Sequence, residues 1–194
     1  MFTSRPDSSQ PIPKNAKRVF KGVLFDTYQW EQKMYDGSSK IFEKVKRADT
    51  VNIIPITYDG KILLAKQEQP GTIPFISGLG GIVDKDESPL ACAKRELLEE
   101  AGMKADTFVL WYAKQILDKI DWAIYTFIAK GIRTVGKQKL DTGEKIELFT
   151  VTFDEYLSIV KQDNFRDSEI ALKLLRIQTN AKEIERVRKL FFSL

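Results

Sequence analysis

Apolar and polar residues alternate in short runs through the first third of the chain, the period-two pattern of strands with one buried face. Residues 19–46 carry two such runs around Tyr35-Asp36-Gly37-Ser38, which predicts a hairpin or short antiparallel meander. Residues 50–57 (TVNIIPIT) and 61–66 (KILLAK) flank Tyr58-Asp59-Gly60 and predict a second strand pair. Residues 70–81 (PGTIPFISGLGG) are rich in Gly and Pro and read as loop, followed by the acidic stretch VDKDES. A helix over 89–101 has both ends marked: Ser88 as N-cap, Pro89 at the first position, and Gly102 where a left-handed residue closes the last turn. Strands are predicted at 107–115, 122–130 and around 145–151. Thr152-x-x-Glu155 has the form of a capping box opening a helix to about 161. Asp167 or Ser168 opens another to about 178, and 181–192 predicts a terminal amphipathic helix. Strands, one helix, more strands and trailing helices make the class α+β.

This pattern divides the chain into a flexible or surface-draped arm (1–16), an N-terminal β layer (17–48) and a main domain (49–194). The 31 Lys+Arg against 27 Asp+Glu leave a net charge of only +4, so no specific nucleic-acid partner is expected. No apolar run is long enough for a signal or membrane segment, so a cytoplasmic location and no membrane partner are expected. There is no histidine, which removes His-based triads, bases and metal ligands. The single Cys92, helical and flanked by alanines, reads as a packing residue. Chemistry must therefore rest on carboxylates, Lys/Arg, hydroxyls, backbone groups and hard cations.

The helix over 89–101 carries the strongest chemical signal. At 100° per residue, Leu90, Leu97 and Ala101 fall on one side, and Glu96, Glu99 and Glu100 on another. Carboxylates in the last turn face the negative end of the helix dipole. Two of them about 4 Å apart repel by roughly 4 kcal/mol at an effective dielectric near 20. A divalent cation reverses that sign, and Mg²⁺ takes carboxylate, water and phosphate oxygens. Arg95, four residues before Glu99, can hold the carboxylates by charge-assisted hydrogen bonds.

The full segment resembles the Nudix box. Gly81, Glu87, Arg95, Glu96, Leu97, Glu99, Glu100, Gly102 and Met103 fill its fixed positions at the right spacing. Over roughly residues 50–160 the resemblance implies an α/β/α sandwich around a mixed β-sheet, here with a small N-terminal antiparallel β layer. It implies Mg²⁺- or Mn²⁺-dependent hydrolysis of a nucleoside diphosphate derivative. Glu96 and Glu100 are then the first-choice metal ligands, Glu99 a further ligand or water-positioner, Glu87 a supporting contact, and Arg95 the group that orients the glutamates. In the sugar-nucleotide branch the carbonyl before the box glycine also reaches metal, which here is Gly80.

The extra N-terminal strands and the stretch LDTGEKIEL resemble the ADP-ribose and sugar-nucleotide pyrophosphatase branch. That likeness implies a homodimer and a nucleobase pocket built with N-terminal strands, with Phe25, Tyr28 and Trp30 as stacking candidates alongside Phe20. It also implies a general base near the loop Asp141-Thr-Gly-Glu144, so Glu144 is the first candidate and Glu147 the second. Two places depart from the branch: Gln67-Glu68-Gln69-Pro70 stands where an Arg is common, and WYAKQILDKIDW lacks a downstream Pro. The choice between ADP-ribose and a sugar nucleotide stays open. Alternatives are a nucleoside triphosphate, dinucleoside polyphosphate or capped-RNA hydrolase, and a non-catalytic nucleotide-sensing module.

Overall fold

The computed structural model describes residues 4–193. Residues 1–3 of the expected arm lie outside the described residues. In chain order the elements are β1 (Lys17–Lys21), β2 (Asp26–Lys33), β3 (Ser39–Lys46), β4 (Thr50–Thr57), β5 (Ile62–Glu68), β6 (Phe75–Ser77), α1 (Pro89–Ala101), β7 (Met103–Lys104), β8 (Thr107–Gln115), β9 (Ile120–Asp121), β10 (Ala123–Thr134), β11 (Lys145–Val151), α2 (Phe153–Ile159), α3 (Ser168–Ile177) and α4 (Ala181–Phe192). The α+β class read from the pattern holds.

The central sheet runs β11-β5-β4-β10-β7, with β8 and β6 paired at its margins. Alternation along its strands separates two cores. Val51, Ile53, Leu63, Ala65, Tyr125 and Phe127 face α1, where Cys92, Ala93 and Leu97 pack against them. Ile54, Ile56, Ile62, Leu64 and Ile128 face the other way, against Phe153, Tyr156, Leu174 and Phe191 of the trailing helices. Helices on both faces of a mixed sheet give the α/β/α sandwich, and each fully buried Leu or Ile contributes about 1.5–3 kcal/mol.

One strand pairing differs from the simple hairpin reading. Strands β4 and β5 pair only at Ile56↔Ile62, beside the turn. Along its length β4 instead lies parallel to β10, from Ile124↔Thr50 to Ile132↔Thr57. The other side of β4 is filled by the glycine-rich loop, through the bridges Ile53↔Leu79 and Thr50↔Ile82. A parallel partner some 70 positions away leaves no local mark in the chain, whereas the Asp-Gly turn does.

A second sheet, β1-β2-β3-β9, forms the N-terminal layer. Residues 4–16 lie across it. Arg5 makes a two-point bond to Asp49 at 2.7 and 2.8 Å and also reaches Asp121 at 2.8 Å. Lys44, almost wholly buried, donates to Ser8 Oγ at 2.7 Å and to the Gln10 carbonyl at 2.6 Å. No helix among the described residues is long and apolar enough to cross a membrane.

Candidate active site

Helix α1 begins as its sequence requires. Ser88 Oγ accepts from the Ala91 amide at 3.2 Å, and Gly102 ends the helix in the left-handed region at φ 62°. Its last carbonyls find partners in the segment that follows β10. The Lys139 amide donates to the Glu99 carbonyl and Gln138 Nε2 to the Glu100 carbonyl, each at 2.7 Å. These donors take the place of the basic residues usual in a last turn. Gln138 left no signal in the sequence, because its role depends on where the chain returns.

The buried face of α1 is rotated from the one centred on Leu90. Leu90 is 40 % exposed, and the face instead takes in Ala93, Leu97, Ala101 and the Glu100 side chain, which is only 5 % exposed. The reason is the glycine-rich loop, which covers the side of the helix that carries Glu96 and Glu100. The Gly80 amide donates to Glu100 Oε2 at 2.8 Å. Gly80 has φ +148°, and a Cβ there would sit 2.1 Å from the Val51 carbonyl oxygen. At Gly81 a Cβ would meet Glu96 Oε1 at 2.2 Å, so the absence of a side chain gives the carboxylate its place.

Arg95 gathers three of the acids. Its Nε and Nη2 donate to the two oxygens of Glu87 at 3.1 and 3.0 Å. Its Nη1 donates to Glu96 Oε1 at 2.7 Å and to Glu99 Oε2 at 2.9 Å, and Nη2 also reaches the Ile82 carbonyl. Both Glu87 oxygens are thus taken by Arg95, whose hydrogen bonds hold the Glu87 carboxyl below its usual range. The cluster in turn raises the proton affinity of the Arg95 guanidinium. The Cys92 thiol, buried beneath, is pushed up by desolvation and packs in the core.

Glu100 stands apart from this group. Among the described residues it has no ion pair, and its only hydrogen bond from the loop is the Gly80 amide. Burial pushes its carboxyl up to about 8, and the charges of Glu96, Glu144 and Asp167 add to the effect against the opposing Gly80 N–H. Glu96 is raised for the same reasons, burial first and then the neighbouring acids, although Arg95 opposes it. The fold thus brings Glu144, more than 40 positions away in sequence, into the field of Glu96 and Glu100. Its Oε2 accepts from the Asp141 amide at 3.2 Å in a turn closed by Gly143 at φ +99°. Glu147 points elsewhere: Ile146 and Leu148 face α1, so Glu147 between them lies on the opposite face of β11.

The aromatic candidates occupy different surroundings. Phe25 is 37 % exposed, in the turn before β2, and the Arg47 guanidinium lies over its ring at 5.7 Å and over Trp122 at 4.6 Å. Tyr28 lines a cleft of about 390 Å³ beneath the N-terminal arm with Arg5, Ser8, Lys46 and Asp121. Trp30 is buried against Phe42, ring centroids 6.1 Å apart, and serves the packing of the N-terminal layer.

A family model for the NUDIX domain matches residues 46–174, which contain the glycine-rich loop, α1 and the Glu144 turn. This chain belongs to the Nudix family. It is a Nudix pyrophosphohydrolase, and its likeness is to the ADP-ribose and sugar-nucleotide pyrophosphatase branch. It is 26 % identical over 168 residues to the ADP-ribose pyrophosphatase of Bacillus subtilis (strain 168), covering 84 % of this chain and 89 % of that protein. It is 27 % identical over 174 residues to the methanol dehydrogenase activator of Bacillus methanolicus, covering 86 % and 92 %. A crystal structure of an ADP compounds hydrolase shares the fold, with a TM-score of 0.71 at 18 % identity, over 91 % of this chain and 98 % of that one.

Nudix hydrolases generally use divalent metal ions. The donor set here fits one: oxygen ligands only, a buried Glu100 carboxylate with no cationic partner among the described residues, and a Glu96 carboxylate seated over a bare glycine backbone. As the side chains stand, no three acidic groups among the described residues close around one point. Glu87, Glu96 and Glu99 are instead gathered on Arg95.

Proposed function

We propose that this Nudix enzyme hydrolyses the diphosphate of ADP-ribose or a related nucleoside diphosphate sugar, releasing a nucleoside monophosphate and a sugar phosphate. The observation that carries the reading is Glu100: a carboxylate buried without a cation, fixed by the Gly80 amide, and facing the charges of Glu96 and Glu144. Such a group is costly unless a positive charge joins it. Mg²⁺ or Mn²⁺ held by Glu96 and Glu100, with Glu99 and the Gly80 carbonyl as further donors, would neutralise the diphosphate and make its phosphorus more electrophilic.

The chain's own groups supply the rest. Arg95 positions Glu96 and Glu99, and Glu87 acts through Arg95 in addition to any direct contact with the cation. A water oxygen adds to one phosphorus, Glu144 accepts the proton that water gives up, and the bridging P–O bond breaks with its electrons on the departing phosphate. Phe25 and Tyr28 have the open surface for a base, whereas Trp30 supports the layer that carries them. A second copy of the chain fits the N-terminal sheet, where β1 is an open edge and Phe20 and Ile41 are more than half exposed. Sedimentation at micromolar concentration tests the homodimer.

The deciding experiment offers ADP-ribose, GDP-mannose, NADH, a diadenosine polyphosphate and dNTPs with Mg²⁺ or Mn²⁺ and identifies the products. ADP-ribose or a sugar nucleotide is expected to give the highest kcat/KM. The methanol dehydrogenase activator among the relatives favours a second reading, action through a partner protein. Tight nucleotide binding with no hydrolysis of any of these compounds would select it.

A further inference from the structure

The first glycine after β6 is held from outside the box. The Gly78 amide donates to Asp167 Oδ2 at 2.7 Å, across 89 positions of sequence. Asp167 is the N-cap residue of α3, yet its side chain makes no capping bond to its own helix. An Asp at that position ordinarily accepts from the first-turn amides. Here the carboxylate is turned away from them and toward the loop.

The turn is built into the backbone around it. Residues 164–166 run beside β6, with the parallel bridge Ile76↔Phe165 and hydrogen bonds of 2.8 Å from the Ile76 amide to the Asn164 carbonyl and from the Arg166 amide to the Ile76 carbonyl. The Arg166 guanidinium lies over the Phe75 ring at 4.2 Å. This seam ends with Asp167 opposite Gly78. Gly78 itself is pressed onto β4, since a Cβ there would lie 2.6 Å from the Ile53 carbonyl oxygen. Two residues on, the Gly80 amide holds Glu100. A continuous path thus joins Asp167, Gly78, Gly80 and Glu100, through a loop pinned to β4 by the paired Ile53 and Leu79 bonds.

We propose that Asp167 is a positioning residue for cation binding, setting the Gly78–Gly80 backbone from which Glu100 takes its place. The role rests on the catalytic reading above and adds a residue that lies outside the box. A mere helix cap would need only a short acceptor at position 167, while this role needs an acceptor long enough to reach Gly78.

The test is Mn²⁺ binding to the full chain without substrate, followed by the loss of the free-ion spin-resonance signal. Asn keeps an oxygen acceptor of the same reach, and Ser keeps a good helix cap that falls short of Gly78. Asp167→Asn is expected to bind Mn²⁺ much as the wild type does. Asp167→Ser and Asp167→Ala are expected to bind it about tenfold more weakly, the scale of one lost hydrogen bond. Where Asp167→Ala does not fold, Asp167→Ser carries the comparison. Wild-type affinity in Asp167→Ser, or affinity in Asp167→Asn as weak as in Asp167→Ser, overturns the role of Asp167. A wild-type chain that binds no Mn²⁺ overturns the catalytic reading itself.

Discussion

The Glu96 carboxylate lies over the backbone of Gly81 so closely that a methyl group on Gly81 would have to displace it, the Cβ meeting Oε1 at 2.2 Å. The obstruction is the end of a flexible side chain, and Gly81 does not have a positive φ. Gly81→Ala should therefore fold, with a stability change below about 1 kcal/mol, while turnover falls roughly 10²-fold as Glu96 is moved aside. Gly80→Ala should behave differently. Its Cβ meets the Val51 backbone, and at φ +148° the loss should be about 3 kcal/mol or more. Thermal melts and turnover of the two variants check this; equal effects on both measures would remove the distinction.

Glu100→Gln separates the stability of the site from its use. Gln keeps an oxygen for the Gly80 amide but carries no charge into the buried position. Without divalent cation the variant should be at least as stable as the wild type near neutral pH, because its folded state need not take up the proton that burial forces on the Glu100 carboxyl. Turnover should fall by about 10²-fold or more. Denaturant unfolding in EDTA and activity with Mg²⁺ provide the two readings, and nearly full activity would end the assignment of Glu100.

Asp167 makes a prediction about pH. Burial raises its carboxyl from 3.8 to about 6, against the opposing Gly78 N–H and the Arg166 charge. The folded chain therefore holds this proton at pH values where the unfolded chain has lost it. Its contribution to stability is fully present below pH 3.8 and is lost as pH rises through about 6. Asp167→Asn has no such proton. Its stability relative to the wild type should rise by about 2 kcal/mol between pH 4 and pH 7.5, within the ~3 kcal/mol ceiling set by linkage. Unfolding curves at the two pH values test the difference, and a pH-independent gap would contradict it.

The arm has its own test. Removing residues 1–12 takes Ser8 and Gln10 from the buried Lys44 ammonium, and Arg5 from Asp49 and Asp121. The truncated chain should lose about 3 kcal/mol, because the Arg5 ion pairs and the two Lys44 hydrogen bonds are lost together. Unchanged unfolding of the truncated chain would mean that the arm does not fasten the two sheets.

Elements bounded by their own side chains were legible in the sequence. Helix α1 runs from Pro89 to Ala101 as read, and α4 from Ala181 to Phe192, because Ser88, Gly102 and Asn180 act on amides and carbonyls within one turn. The Thr152–Glu155 capping box is present in both halves. The face of α1 was less legible. Leu90 reads as apolar and inward but is 40 % exposed, because the glycine loop covers the side that carries Glu96 and Glu100. Asp167 was readable as a helix cap but not as the anchor of a loop 89 positions away.

By itself, the sequence determined which residues could cap, turn and alternate, and which nine positions spell the box, since those properties act over a few residues. The tertiary structure decided which carboxylates share one field. It laid β10 parallel to β4, inserted the loop beside β4 where β5 leaves it, buried Glu100 while Arg95 gathered Glu96 and Glu99, and brought the charges of Glu144 and Asp167 to bear on Glu100. Electrostatic and steric fit depend on distance in space. Distance along the chain does not fix that distance once strands from far-apart segments are joined in one sheet.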